Sequence, residues 1–192
     1  MTFLISATLN GQLSANPLED IRDTTGIWTL RFLIFTLAVT PLRRITGWHS
    51  LIRLRRMLGL FAFFHAVLHF VTYVWLDQFF AWDEMIADLT KRRFIMAGYV
   101  SFVLLVPLAI TSTKHWIRRL GGHRWQVLHR LIYVSAAAGV VHYFWRVKLD
   151  VQRPVVYAVI LVFILGLRWR SSGVSRTPAS FDGSVPGQNF PN

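Results

Sequence analysis

The chain has 192 residues, 54% of them hydrophobic and 16% charged, with 21 lysines and arginines against 9 acidic residues and a formal charge of +12. Soluble domains average about 25% charged residues, so this composition excludes an ordinary water-soluble globule. The basic excess does not point to nucleic acid either, because the arginines fall in short runs between apolar stretches and form no stripe interleaved with stacking aromatics.

Residues 1–11 hold a short apolar run that lacks the basic start and small-residue cleavage site of a signal peptide. The run is read as the remnant of a further helix, and residues 1–25 as that remnant followed by a segment outside the membrane. Five apolar segments follow, at residues 26–42, 54–76, 94–110, 125–145 and 154–169. Each approaches the ~20 residues that cross a hydrocarbon core of ~30 Å, the first and last being short. They are apolar on both faces, and no polar-faced helices remain to surround them. The expectation is an all-α integral membrane protein, a bundle of five to six transmembrane helices occupying residues 26–170.

Charge alternates between the connections. Residues 41–56 carry Arg43, Arg44, Arg53, Arg55 and Arg56 without an acid, and residues 113–124 carry Lys114, Arg118, Arg119 and Arg124, again without one. The positive-inside rule assigns these two loops to the cytoplasm. Glu19, Asp20 and Asp23 precede the first segment, and Asp77, Asp83, Glu84 and Asp88 precede the third; they belong outside. The C-terminus is then cytoplasmic, with Arg168 and Arg170 closing the last span. Beyond it, residues 171–192 turn to Ser, Gly and Pro and read as a flexible tail. The sequence shows no internal repeat, and no matched broken helices of the kind that mark transporters.

With no cysteine in the chain, iron–sulfur clusters, thiol redox chemistry and covalently attached haem are excluded. Seven histidines are present. His49, His115 and His123 lie in the basic loops and read as solvated side chains. His65, His69, His129 and His142 lie inside the spans, where an ionisable residue marks a functional site by default. At a rise of ~1.5 Å per residue, His69 sits roughly 12 Å, and His142 roughly 9 Å, from the outer boundary. Their helices run parallel in this topology, so as neighbours they would present two imidazoles to opposite faces of one b-type haem. Bis-histidine ligation makes a saturated haem suited to electron transfer.

His129 lies about 20 Å deeper than His142 by the same rise, a separation that suits a second cofactor toward the cytoplasm, although no partner ligand is assigned to it. His65 shares a helical face with His69 by its four-residue spacing and is a neighbour of the ligand, an alternative ligand or a packing residue. Ser135 to Gly139, a run of small residues, would admit either a flat macrocycle or another helix. Arg31 lies about one turn inside the outer end of the first span; it either snorkels to the interface or pairs with a haem propionate.

Several strings in order carry a resemblance to a known family. Asn16-Pro17-Leu18-Glu19-Asp20-Ile21, Thr40-Pro41-Leu42-Arg43, Arg55-Arg56-Met57-Leu58-Gly59-Leu60, Leu68-His69, Trp125-Gln126-Val127-Leu128-His129 and His142-Tyr143-Phe144-Trp145 resemble the MsrQ (YedZ) family. These are haem-binding membrane subunits of bacterial methionine sulfoxide reductase systems, within the ferric-reductase-like transmembrane group. The resemblance runs from about residue 16 to residue 170. It implies haem ligands at His69, His129 and His142, a location in the bacterial inner membrane, and FMN as a second cofactor, for which no motif is evident. It also implies electrons drawn from membrane quinones or a cytoplasmic flavin reductase, and delivered to the periplasmic reductase MsrP. Family members usually begin with a further helix, which residues 1–11 would continue, and His65 matches no family histidine.

No G-x-G-x-x-G follows a strand, so nicotinamide binding is unsupported. The chain is therefore read as an electron-transfer subunit whose outer docking surface is the acidic loop 76–88 with the short loop 147–153. Two rival readings stand beside it: a related cytochrome b with another partner, and a haem-free transporter or scaffold with packing histidines.

Overall fold

A computed structural model describes residues 17–147 and 150–173; the expected remnant helix at residues 1–11 and the tail from residue 174 lie outside the described residues. Among the described residues the elements are helical throughout: α1 (Pro17–Thr46), α2 (Leu51–Val71), a π-helical continuation (Thr72–Asp77), α3 (Trp82–Lys91), α4 (Arg93–Ile110), α5 (Lys114–Leu120), α6 (Gly122–His129), α7 (Leu131–Arg146) and α8 (Gln152–Gly173). Five stretches are long and apolar enough to cross a membrane: Leu18–Thr46, Leu51–Asp77, Arg93–Ile110, Gly122–Arg146 and Gln152–Trp169. Each contains one of the five apolar segments of the sequence.

The first span is longer at both ends than its apolar run. Glu19 and Asp20 occupy the first turn of α1 and Arg43 and Arg44 its last, each sign complementing the helix dipole at that end. Helix therefore continues through Pro41 to Thr46, where a basic loop was expected from residue 41. The threonines inside α1 bond to their own backbone: Thr25 Oγ1 donates to the Ile21 carbonyl at 2.8 Å, Thr29 Oγ1 to Thr25 at 2.9 Å and Thr36 Oγ1 to Phe32 at 2.7 Å. A polar side chain is thereby satisfied without leaving the apolar slab.

The helices pair unequally. α1 lies along α2 and α4 along α7 over the most extensive contacts, and the two pairs meet through smaller surfaces between α2 and α4 and between α1 and α7. Leu33, Leu37, Ala62 and Ala136 are essentially inaccessible at the centre. Small residues there let backbones approach, which is the main source of helix affinity where lipid competes for every apolar contact. The α4–α7 seam is pinned by a reciprocal pair: Ser101 Oγ donates to the Ser135 carbonyl at 2.8 Å and Ser135 Oγ donates to the Ser101 carbonyl at 2.9 Å. On the outside, Val159, Val162 and Phe163 of α8 are 62%, 69% and 65% exposed, an apolar perimeter that a bilayer would cover.

The acidic segment expected as a loop at residues 76–88 contains a helix instead. Trp82, Met85, Ile86 and Leu89 recur at the i, i+3, i+4, i+7 spacing of a helical stripe. Met85 is buried against the bundle while Trp82 and Ile86 are exposed. The chain turns into α3 through Phe79 and Phe80, which take φ of 47° and 62°, a region uncommon for residues with a Cβ.

Candidate cofactor site

A cavity of about 520 Å³ opens inside the bundle at the end where α1 begins. Its floor is apolar, with Leu30, Leu33 and Leu105, and its rim is charged, with Arg22, Asp23, Asp77, Arg92 and Arg146. The size falls within the ~300–1,000 Å³ of small-molecule pockets.

His69 from α2 and His142 from α7 face each other across this space, their ring centroids 6.1 Å apart and their planes at 79°. The two helices are not packed neighbours; each histidine is held by the helix beside its own. His69 Nδ1 donates to the Arg22 carbonyl of α1 at 2.9 Å, with Thr25 Oγ1 at 3.4 Å from the same nitrogen. His142 Nδ1 donates to the Phe94 carbonyl of α4 at 2.6 Å. A carbonyl only accepts, so Nδ1 carries the proton in both rings and the lone pair of each neutral imidazole resides on Nε2. Fixing the tautomer through the far nitrogen is how proteins orient metal-ligating histidines.

The two halves of the site repeat one local device. In each, the accepting carbonyl stands four residues before a glycine on the same helix: Arg22 before Gly26, Phe94 before Gly98. A Cβ on Gly26 would stand 3.0 Å from His69 Cε1, and one on Gly98 would stand 2.7 Å from His142 Nδ1. The imidazoles lie where any other side chain would have placed its first carbon.

Among the described residues, no three of the His, Cys, Asp or Glu side chains converge to enclose a metal ion. Two facing imidazoles could supply at most two ligands to a metal. They fit a metal whose remaining positions are filled by a planar macrocycle, which is the ligand set of a bis-histidine haem. The apolar floor fits the macrocycle's hydrocarbon body, and the charged rim fits polar substituents.

The other sequence-derived candidates lie elsewhere. His129 closes α6: its Nδ1 donates to the Trp125 carbonyl at 3.1 Å and its ring stacks on Trp125 with centroids 3.9 Å apart. Its Nε2 is buried without a hydrogen-bond partner among the described residues. His65 donates from Nδ1 to the Phe61 carbonyl at 2.9 Å and packs against Trp28, Phe32 and Phe64, outside the cavity lining. Arg31 is also outside it: its Nε donates to Tyr157 Oη at 3.0 Å and its guanidinium lies 5.0 Å over Trp28. Of the run of small residues, Ser135 lies in the α4–α7 seam, the helix contact that was one of its two expected uses, and Gly139 lines the cavity wall.

Sequence reasoning missed the rim arginines and both glycines. The signal for the rim was present: Arg146 is four residues beyond His142 on one helix face.

Comparison with known proteins gives the family of the chain. The ferric reductase like transmembrane component model matches residues 25–140. The chain is 56% identical over 163 residues to the "Protein-methionine-sulfoxide reductase heme-binding subunit MsrQ" of Herminiimonas arsenicoxydans, covering 84% of this chain and 75% of that one. It is 53% identical to the protein of the same description from Azospira oryzae (82% and 67% covered), and 48% identical to that from Ralstonia nicotianae (90% and 81%). No solved structure matches the chain. With five membrane-crossing helices, a histidine pair across a central cavity and this similarity over most of its length, the chain belongs to the MsrQ family of ferric-reductase-like transmembrane proteins.

Proposed function

We propose that this protein is a membrane cytochrome b that carries electrons across the bacterial inner membrane to a periplasmic methionine sulfoxide reductase, the MsrP subunit of that system. The observation that carries the reading is the His69–His142 pair, 6.1 Å apart, with both Nδ1 atoms committed to backbone carbonyls. The names of its relatives, haem-binding subunits of protein-methionine-sulfoxide reductase, supply the cofactor and the system.

In this reading His69 and His142 hold haem b by their Nε2 atoms. The haem supplies one-electron transfer when bound; the chain binds, orients and insulates it. Held by both imidazoles, the haem would be suited to electron transfer rather than oxygen binding, and the apolar floor of Leu30, Leu33 and Leu105 would exclude water from it. His129 is the third ligand of the proposal, placed for a second haem nearer the cytoplasm; its buried, unpartnered Nε2 supports that role. Electrons enter from the membrane quinone pool or a cytoplasmic flavin reductase. The FMN implied by the family resemblance is given no ligand here, beyond the general suitability of the basic inner loops for its phosphate. The outward docking surface is α3 with the segment leading into it.

A reduced-minus-oxidised optical spectrum of the purified protein, combined with haem and flavin quantification, tests the reading. Low-spin b-type bands are expected; their absence would end it. Reconstitution with a periplasmic methionine sulfoxide reductase and a quinol then tests the electron path, and failure of electron delivery in the presence of intact haem would leave a cytochrome b with another partner.

A further inference from the structure

Three arginines line the cavity, all at its outer rim: Arg22 of α1, Arg146 of α7, and Arg92 at the entrance to α4. Their level relative to the histidines is fixed by the helices. Arg22 stands one turn outward of Gly26, on which the His69 ring rests, and Arg146 stands one turn outward of His142. Both residues therefore leave their helices on the same side of the imidazole pair, about 5–6 Å farther out along the helix axes.

Their present partners are carboxylates. Arg146 pairs with Asp23 and, at 3.7 Å, with Glu19; Arg22 pairs with Asp77 and, at 3.7 Å, with Glu19. The arrangement is incompletely satisfied: Arg22 Nε is buried without a hydrogen-bond partner among the described residues, with an Asp23 carboxylate oxygen 4.0 Å away. An arginine presents five N–H donors in a planar fork that matches a carboxylate, and a buried donor left empty is costly. Haem b offers two carboxylates, both on one edge of an otherwise apolar disc. The cavity offers a matching division, an apolar floor and a single charged edge on which the three arginines are gathered.

Resting on the proposed haem at His69 and His142, we propose that Arg22 and Arg146 hold the two haem propionates and so set which edge of the macrocycle faces outward. Asp23, Asp77 and Glu19 keep these guanidiniums at the rim. Arg31, whose depth in the first span invited this role, is turned to Tyr157 and Trp28 instead. The proposal separates two jobs of one residue: the Arg22 carbonyl orients His69, while the Arg22 side chain holds a propionate.

The test compares uptake of haem b and of its dimethyl ester, which has no anionic edge, by protein purified from haem-depleted cells. Wild type should bind haem b at least about tenfold tighter than the diester, since each hydrogen bond to a charged group is worth a factor of that order. Arg22→Gln and Arg146→Gln should each shrink that preference, and Arg22→Lys and Arg146→Lys should retain most of it. The diester should still give the low-spin spectrum in all four, which shows that the bundle and the histidine pair are intact. A preference undiminished in both Gln variants, or no preference in wild type despite a low-spin spectrum, overturns the assignment and leaves the haem reading standing. No low-spin spectrum with either compound overturns the haem reading and this proposal with it.

Discussion

Gly98 lies beneath the His142 imidazole so closely that a Cβ there would stand 2.7 Å from His142 Nδ1, a contact that real Cβ atoms essentially never make. Gly98→Ala should therefore displace the ring and break its 2.6 Å bond to the Phe94 carbonyl. Haem content per protein should fall severalfold. Gly166 of α8 has open space at the same position, so Gly166→Ala should leave haem content unchanged and gain about 0.5–1 kcal/mol of helix propensity. Haem quantification on the two variants, with thermal unfolding in detergent, checks both expectations.

The histidines should separate cleanly by substitution. His69→Ala and His142→Ala should each abolish the proposed outer haem, because each removes one of the two facing imidazoles proposed to hold it. His65→Ala should retain most of it, since that ring bonds only to the Phe61 carbonyl and packs among aromatics. Pyridine haemochrome content and the low-spin spectrum are the measurements; haem loss on replacing His65 with retention on replacing His69 would reverse the assignment.

The five spans were legible because length and apolarity alone decide them, and the His69–His142 pair because helical rise converts sequence separation into depth. Depth leaves azimuth undetermined, and the departures lie there. Arg31 is nine residues after Arg22, two and a half turns of helix, and so faces the opposite way. Nor does rise reveal that α2 and α7 reach the cavity without packing on each other. Helix α3 escaped notice because its acids drew attention from the stripe of Trp82, Met85, Ile86 and Leu89. Both ends of α1 were cut short for the same reason: charges that end an apolar run do not end a helix whose dipole they complement.

The Ser101–Ser135 seam should show coupling. Each single Ser→Ala change removes one of two reciprocal bonds of 2.8 and 2.9 Å, at a cost of about 0.6–2 kcal/mol in a membrane interior. The double variant should be less destabilised than the sum, because the two hydroxyls also lie 3.2 Å from each other. A double-mutant cycle on unfolding free energy measures this; strict additivity would show the two bonds to be independent.

Orientation is open to direct test because the chain contains no cysteine. Glu84→Cys, on the exposed side of α3, should react with a membrane-impermeant maleimide from the periplasmic side of spheroplasts. Ser50→Cys, exposed between α1 and α2 among the arginines, should react only after permeabilisation. The opposite pattern would invert the topology and with it the proposed direction of electron flow.

The unequal pairing of the helices bears on how such a protein is assembled. α1 with α2, and α4 with α7, are the two tight couples, and each histidine is hydrogen-bonded inside its own couple, His69 to α1 and His142 to α4. Each histidine thus takes its orienting bond from within its own couple and needs nothing from the other couple for it. A ligand held by both rings, as proposed, would act as a rivet between the two couples, adding its grip to the ion pairs of Arg146 with Asp23 and Glu19 that already join them.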